Sequence, residues 1–258
     1  MVILGVVLLV AGVAGFFMAH LMRRNVHAMI GTETLTVAEL DLYHRTALEV
    51  SGPGGFRRVS EVIGTTQPAP NGLLASQLTQ TPCVWHRHEI IRRYRKVRHD
   101  SEGRRHTSEH TETVSKFTSD TPILVADQTG SVLVRPSGLR SDAIEQVLSR
   151  FERHSATVGQ IVSSMVLGGW YDGDTIGYEY KEWVVRPGVR LYVHGEASDQ
   201  SGQLVFGKPA KGPFIVSNRT EEELRRSSGV QQKVYAFGGL AVVILGLVLV
   251  VVGAVRGH

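Results

Sequence analysis

TPCVWHRHEIIRRYRKVRHD, residues 81–100, gathers the only cysteine of the chain, one tryptophan, three histidines and a dense run of arginine and lysine. Its apolar positions obey no single period. Cys83, Trp85, Ile91 and Val97 share one parity, whereas Val84, Ile90 and Tyr94 share the other. One extra residue near Ile90 and Ile91 reconciles the two sets, so the stretch reads as a strand with a β-bulge. Arg92, Arg93, Arg95, Lys96 and Arg98 then form the charged face of that strand. The polar run SEGRRHTSEHTETVS, residues 101–115, becomes the exposed tip of a long hairpin that returns through SKFTSDTPILVAD.

Several chemistries can be weighed on this stretch. A reactive Cys83 needs a lowered pKa, which His86 or Arg87 could supply, but its place between proline and Val-Trp favours a buried, inert thiol. HTSEH at 106–110 matches the H-x-x-E-H pattern of zinc hydrolases. That chemistry needs both histidines on one face of a buried helix, and here the motif falls in a charged segment without apolar periodicity. His86 and His88 share a strand face and could form a metal clip, yet solvated side chains are the expected state. No metal or cofactor is expected. Nucleic acid would be gripped through Arg87, Arg92, Arg93, Arg95, Lys96, Arg98, Arg104 and Arg105. Only Tyr94 is interleaved as a stacking aromatic, so no nucleic-acid partner is expected. The same charges beside an anionic leaflet would each contribute about 1 kcal/mol, which makes anionic lipid or a protein the partner to test.

Outward from this stretch the composition is unexceptional, at 258 residues with 42% hydrophobic and 20% charged content and a net charge of +4. One cysteine excludes an internal disulfide and any zinc ribbon or RING built from these residues. No P-loop, GxGxxG, GxSxG or HExxH is present. Asn218-Arg219-Thr220 is a glycosylation triplet that suits the start of a helix better.

The apolar residues are concentrated in two runs. VILGVVLLVAGVAGFFMAHLM (2–22) and VYAFGGLAVVILGLVLVVVGAV (234–255) carry no charged side chain. A hydrocarbon core of roughly 30 Å needs about 20 helical residues, so each run predicts a transmembrane helix. The first lacks the basic n-region of a signal peptide. Gly5, Gly12 and Gly15 in one run, and Gly238, Gly239, Gly246 and Gly253 in the other, would let the helices approach closely. Arg23, Arg24, Arg219, Arg225, Arg226 and Lys233 lie on the inner flanks, while only Arg256, Gly257 and His258 follow the second run. The positive-inside rule then places residues 23–233 in the cytoplasm.

Between the runs, TLTVAELDLYHRTALEV predicts a helix with Thr36 and Glu39 as its capping box, ended by SGPGGF. ILVADQTGSVLVRP reads as a hairpin turning at Asp127–Gly130. EYKEWVVRPGVRLYVHGEA reads as another, with Pro187-Gly188 as a type II turn. DQSG at 199–202 supplies a third turn, LRSDAIEQVLSRFE predicts a helix, and TEEELRRSS starts a last one with Thr220 and Glu223 as its box. The expected architecture is α+β: a β-rich domain over 23–233 between two membrane helices.

TPCVWHRHEI, FTSDTPILVADQTGSVLVRP and EYKEWVVRPGVRLYVHGEA, in this order between two apolar runs, resemble the GIDE, or "beside a membrane", family. These are E3 ubiquitin ligases related to the mitochondrial ubiquitin ligase activator of NF-κB. The resemblance implies ubiquitin transfer through a zinc-binding RING that follows the second span. No such ligands follow here, so the expected role is a non-catalytic scaffold or sensor at the bilayer surface. Ubiquitin transfer through a non-RING surface is the rival. No catalytic residue is assigned. Cys83, Trp85, Asp127, Gly130, Trp183 and Gly188 are expected to be structural, and Arg92, Arg93, Arg95, Lys96 and Arg98 to bind.

Overall fold

The computed structural model describes residues 2–30, 32–69, 71–99, 101–153 and 174–255. Arg256, Gly257 and His258 lie outside the described residues. The fold is α+β with a β-rich middle. Helix α1 (Val2–Ile30) leads to α2 (Val37–Ser51) and the strands β1 (Arg57–Gln67), β2 (Leu74–Ala75), β3 (Pro82–Cys83), β4 (Trp85–His99), β5 (Arg105–Thr118), β6 (Ile123–Ala126) and β7 (Ser131–Val134). Then come β8 (Glu145–Arg153), β9 (Thr175–Val185), β10 (Arg190–Ser198), β11 (Val205–Gly207), β12 (Ile215–Ser217) and helix α3 (Glu221–Val255).

Two sheets carry the domain. In the first, β1, β6, β7, β11 and β10 pair in turn and β10 pairs back with β1, a closed ring of five strands with β12 added to β10. Closure removes most of the free edges an open sheet would leave. Its interior is filled by Val62, Val125, Val134, Leu191, Val193, Phe206 and Val216, all buried, with Val37 and Leu40 of α2 joining them. The second sheet runs β5-β4-β9-β8. Its own small core is Ile90, Tyr178 and Tyr180, backed by Leu78, Val114 and Leu148.

Helix α2 starts where its capping box predicts. Thr36 Oγ1 accepts from Glu39 N, and the Glu39 carboxylate accepts from Thr36 N at 2.8 Å. Its far end is tied down by Asp199, whose carboxylate accepts from Gly54 N and Phe56 N, each at 3.0 Å. The second box also forms: Thr220 N donates to Glu223 Oε2 and Glu223 N to Thr220 Oγ1.

Two expectations are corrected. LRSDAIEQVLSRFE is not a helix but a 3-10 turn at Ser141–Ala143 followed by strand β8. Its Glu, Gln, Leu and Arg favour helix, yet pairing with β9 overrides that preference. A register shift between Gln146 and Leu148 hides the alternation. The segments either side of Pro187-Gly188 are not a hairpin either. β9 belongs to the second sheet and β10 to the first, so the turn is a corner between sheets.

Helices α1 and α3 pack together. A Cβ on Gly246 would come to 2.9 Å from the Gly5 carbonyl oxygen, and one on Gly239 to 3.2 Å from that of Gly12. The pairs Gly5/Gly246 and Gly12/Gly239 make the arrangement antiparallel, and seven-residue spacing keeps both on one seam. Among the described residues, one helical stretch, Ala236–Gly253, is long and apolar enough to cross a membrane; Ile3–Met18 is a shorter apolar stretch. Outside the seam the apolar side chains are bare: Ile3 is 82% exposed, Val10 66% and Phe237 71%.

The seam predicts a contrast between neighbouring glycines. Gly246→Leu forces the helices apart and should cost about 1–3 kcal/mol. Gly238→Leu, whose Cβ meets nothing within 4 Å, should cost little. Thermal melts of detergent-solubilised variants would read the difference.

Candidate functional site

The second sheet holds most of the residues singled out in the sequence. The β4–β5 register shifts between Ile90 and Ile91 as expected, but the extra residue is Val114 on β5, and β4 keeps one alternation through it. Inward-facing His86, His88, Ile90 and Arg92 are all buried. Trp85 is buried beside them, and its indole donates to the Ser119 carbonyl at 2.8 Å. Cys83 has no exposed surface, and burial pushes its thiol above the usual range, ahead of a smaller push from Glu182.

His86 and His88 differ from expectation. Instead of being solvated they stack on Phe117, at centroid distances of 5.2 and 6.0 Å. His88 Nε2 lies 3.1 Å from Ser115 Oγ, while the Nδ1 atoms of both rings are buried without a hydrogen-bond partner. Phe117 arrives from thirty residues along the chain, which the spacing of two histidines cannot announce.

Glu182, beside them on β9, was not singled out and is fully buried. Its carboxylate accepts from Leu78 N at 2.7 Å, Thr79 N at 2.9 Å, Thr79 Oγ1 at 2.6 Å and Ser76 Oγ at 2.9 Å. Burial alone would raise its pKa, but these donors together hold it below the ordinary value. The group anchors the loop that covers the small core. Its partners lie more than a hundred residues away in sequence.

The basic run does not form one surface. Strand alternation sends Arg93 and Arg95 to one face and Arg92, Lys96 and Arg98 to the other. Arg92 is only 8% exposed. It donates from Nε to Thr175 Oγ1 at 2.9 Å, pairs with Glu112 at 3.5 Å and covers the Tyr94 ring. Arg93 pairs with Glu179 at 2.9 Å and lies over Phe151. Arg95, Lys96 and Arg98 are exposed, and no described carboxylate pairs with them. Trp183 carries the Arg87 guanidinium over its ring at 4.3 Å.

HTSEH lies on β5, an exposed strand. The helical turn that brings the two histidines of a zinc hydrolase together is therefore missing there.

The Asp127 and Gly130 pair sits in the first sheet. Asp127 Oδ1 accepts from Thr129 N and Gly130 N, while Oδ2 accepts from Val37 N at 2.8 Å. Thr129 Oγ1 accepts from Ala38 N. The β6–β7 turn therefore supplies extra caps to the first turn of α2. A Cβ on Gly130 would come to 3.0 Å from Val37 Cγ1. Gly188 has φ +81°, as the corner turn requires. Beside α2 and the turn opens a shallow cleft of about 880 Å³, lined by Leu42, Leu124, Val132 and Leu133 among others.

A closed small barrel, a side sheet with an exposed cationic ribbon and two packed apolar helices make up a helix-flanked α+β domain. Among the described residues no three metal-ligating side chains come together. The chain belongs to the GIDE family, described as E3 ubiquitin ligase, which residues 93–253 match. A 76-residue stretch is 30% identical to the E3 ubiquitin-protein ligase SP1 of Arabidopsis thaliana. That stretch spans 29% of this chain and 22% of the relative. No solved structure matches.

Two outcomes follow. Asp127→Ala uncaps α2 and should cost about 1–2 kcal/mol in chemical denaturation. Burial first, against the pull of Glu182, holds the imidazoles of His86 and His88 below their ordinary 6.5. The unfolded chain then binds more protons, so stability is whole above pH 6.5 and falls as pH drops below it. The depressed carboxyl of Glu182 adds a second decline below its ordinary 4.5. Melting temperatures between about pH 7.5 and 5 should fall in the native protein. They should be flatter with pH in His86→Leu/His88→Leu.

Proposed function

We propose that this protein is anchored in a bilayer by α1 and α3 as two spans, and that its domain is a non-catalytic scaffold or sensor at the cytoplasmic surface. The observation that carries the reading is the bare apolar belt. Ile3, Leu4, Val7, Val10, Phe17, Phe237, Ile244 and Leu247 are each more than half exposed, a surface that water does not tolerate and lipid does. The antiparallel glycine seam supports it, because both helices then leave the bilayer on one side, where the domain sits. Arg23, Arg24, Arg219, Arg225, Arg226 and Lys233 lie on that side, which the positive-inside rule assigns to the cytoplasm.

The helices also set the height of the domain. α3 runs unbroken from Glu221, so the 15 residues before Ala236 add about 22 Å at 1.5 Å per residue. From that position the domain meets ligands rather than lipid tails. The cationic ribbon of the second sheet is its surface for an anionic partner.

The family match favours a second reading, in which the domain takes part in ubiquitin transfer. On that reading the part played by residues 93–253, which match the family, would be to hold a partner rather than to ligate zinc, since these 258 residues contain one cysteine.

Alkaline carbonate extraction and protease protection of native membranes test the anchoring. Retention in the pellet with the domain accessible from the cytoplasmic side is expected; release into the supernatant would refute it. Incubation with a ubiquitin-charged conjugating enzyme tests the scaffold role. No acceleration of thioester discharge is expected, and discharge that depends on the domain would establish the second reading.

A further inference from the structure

β9 pairs with β4 only from Trp85 to Tyr94, whereas β5 continues alongside to His99. Arg95 N still donates to the Asp174 carbonyl at 2.8 Å; beyond it, among the described residues, 96–99 and 105–108 pair only with each other. These four residue pairs form a two-stranded ribbon about 14 Å long. Every residue of β5 from Arg105 to Thr113 is exposed, on both faces. Among the described residues no strand pairs with the outer edge of β5. A lone two-stranded ribbon is marginal in water. Its open edge presents a row of N–H and C=O groups that another strand can satisfy. No proline interrupts residues 93–118, and the β4–β5 register shift lies at the base, at Ile90/Ile91.

The ribbon is also charged. Residues 95–99 and 105–109 contain four arginine or lysine side chains and one carboxylate, Glu109, an excess of three. The cross-strand register divides it. Arg95 stands opposite Glu109, but on the other face Lys96 stands opposite Ser108 and Arg98 opposite His106, with Tyr94 stacked on His110. That second face carries no carboxylate between Tyr94 and Arg98 or on the β5 residues opposite them. The first face is rich in threonine, with Thr107 and Thr111 on β5. A second copy paired antiparallel about Ser108 would set His106, Ser108 and His110 against the same residues and bring no carboxylate to Lys96 or Arg98.

We propose that the open edge of β5 takes an acidic, extended segment of a partner protein as an added strand. Its acidic residues, at every second position, run beside His106, Ser108 and His110, where Lys96 and Arg98 reach them across β5 from about 10 Å away, and the residues between run beside Thr107 and Thr111. This inference rests on the scaffold reading above and names the partner its cationic surface accepts.

The probe is a ten-residue peptide of alternating glutamate and threonine, titrated into the full-length protein in nanodiscs of uncharged lipid. Saturable binding is expected. In a strand the amides of the glutamates point to one edge and those of the threonines to the other. N-methylating one set should weaken binding about tenfold or more, and the other set should change it little. Lys96→Glu/Arg98→Glu should also weaken binding about tenfold, with circular dichroism confirming that the fold persists. Equal effects of the two methylation patterns, or no binding up to about 1 mM, would overturn the proposal. So would binding to vesicles rich in anionic lipid that the peptide does not compete away, which would make a membrane the occupant. Carbonate extraction reads the anchoring independently, so a failed peptide titration leaves that result standing.

Discussion

Thr66 holds the corner on which the two sheets turn. Its N–H donates to the Val189 carbonyl at 2.9 Å and its hydroxyl to the Arg186 carbonyl at 2.8 Å. Its carbonyl accepts from Gly188 N at 2.7 Å, and its hydroxyl accepts from Val189 N at 3.0 Å. One residue at the end of β1 thus occupies every polar group of the Pro187-Gly188 turn that faces it. Just before the corner, Val84 N donates to the Val185 carbonyl, continuing the β4–β9 ladder up to the barrel. Thr66 is buried beneath the exposed turn, so its own polar groups left orphaned would each cost on the order of 1–3 kcal/mol. With them satisfied, β9 enters one sheet and β10 the other at a set angle, and the long hairpin is held out from the barrel.

A second junction connects the barrel to the helices. Leu35 N donates to the Glu61 carbonyl and Glu61 N to that of Glu33. The buried Glu61 side chain accepts from Tyr192 Oη at 2.6 Å and from Thr34 Oγ1 at 3.1 Å. Leu224, in the first turn of α3, packs on Tyr192 and Ile215. Both helices therefore meet the barrel around one pair of strands, β1 and β10. The exposed apolar belt, the glycine seam and this junction form a continuous path from greasy helix to hydrogen-bonded sheet.

Local signals were legible where a residue's partner lies within a few positions. Both capping boxes, the turn glycines and the Asp127 turn formed from pairs three or fewer residues apart. The irregularity at Ile90 and Ile91 was expected from mixed parity in β4, yet its extra residue, Val114, belongs to β5, and β4 alternates through it. The β8 strand was not legible, because its helix-favouring residues are held extended by β9, and its own bulge erases the alternation. Likewise the buried state of His86 and His88 depends on Phe117, and that of Glu182 on Ser76, Leu78 and Thr79. The basic run was visible as composition, but its division between two faces needed the strand's period and its neighbours. The family is readable from short motifs because they mark corners and caps, the places where few residue types fit.

The single thiol has a practical consequence. Cys83 is buried within β3, opposite Leu74 of β2, its Sγ lying 3.7 Å from the Leu74 carbonyl oxygen. Its raised pKa leaves little thiolate to react. Maleimides and spin labels will therefore pass the native molecule by. A cysteine introduced anywhere on the surface becomes the sole address for a dye or crosslinker, with no background mutation required.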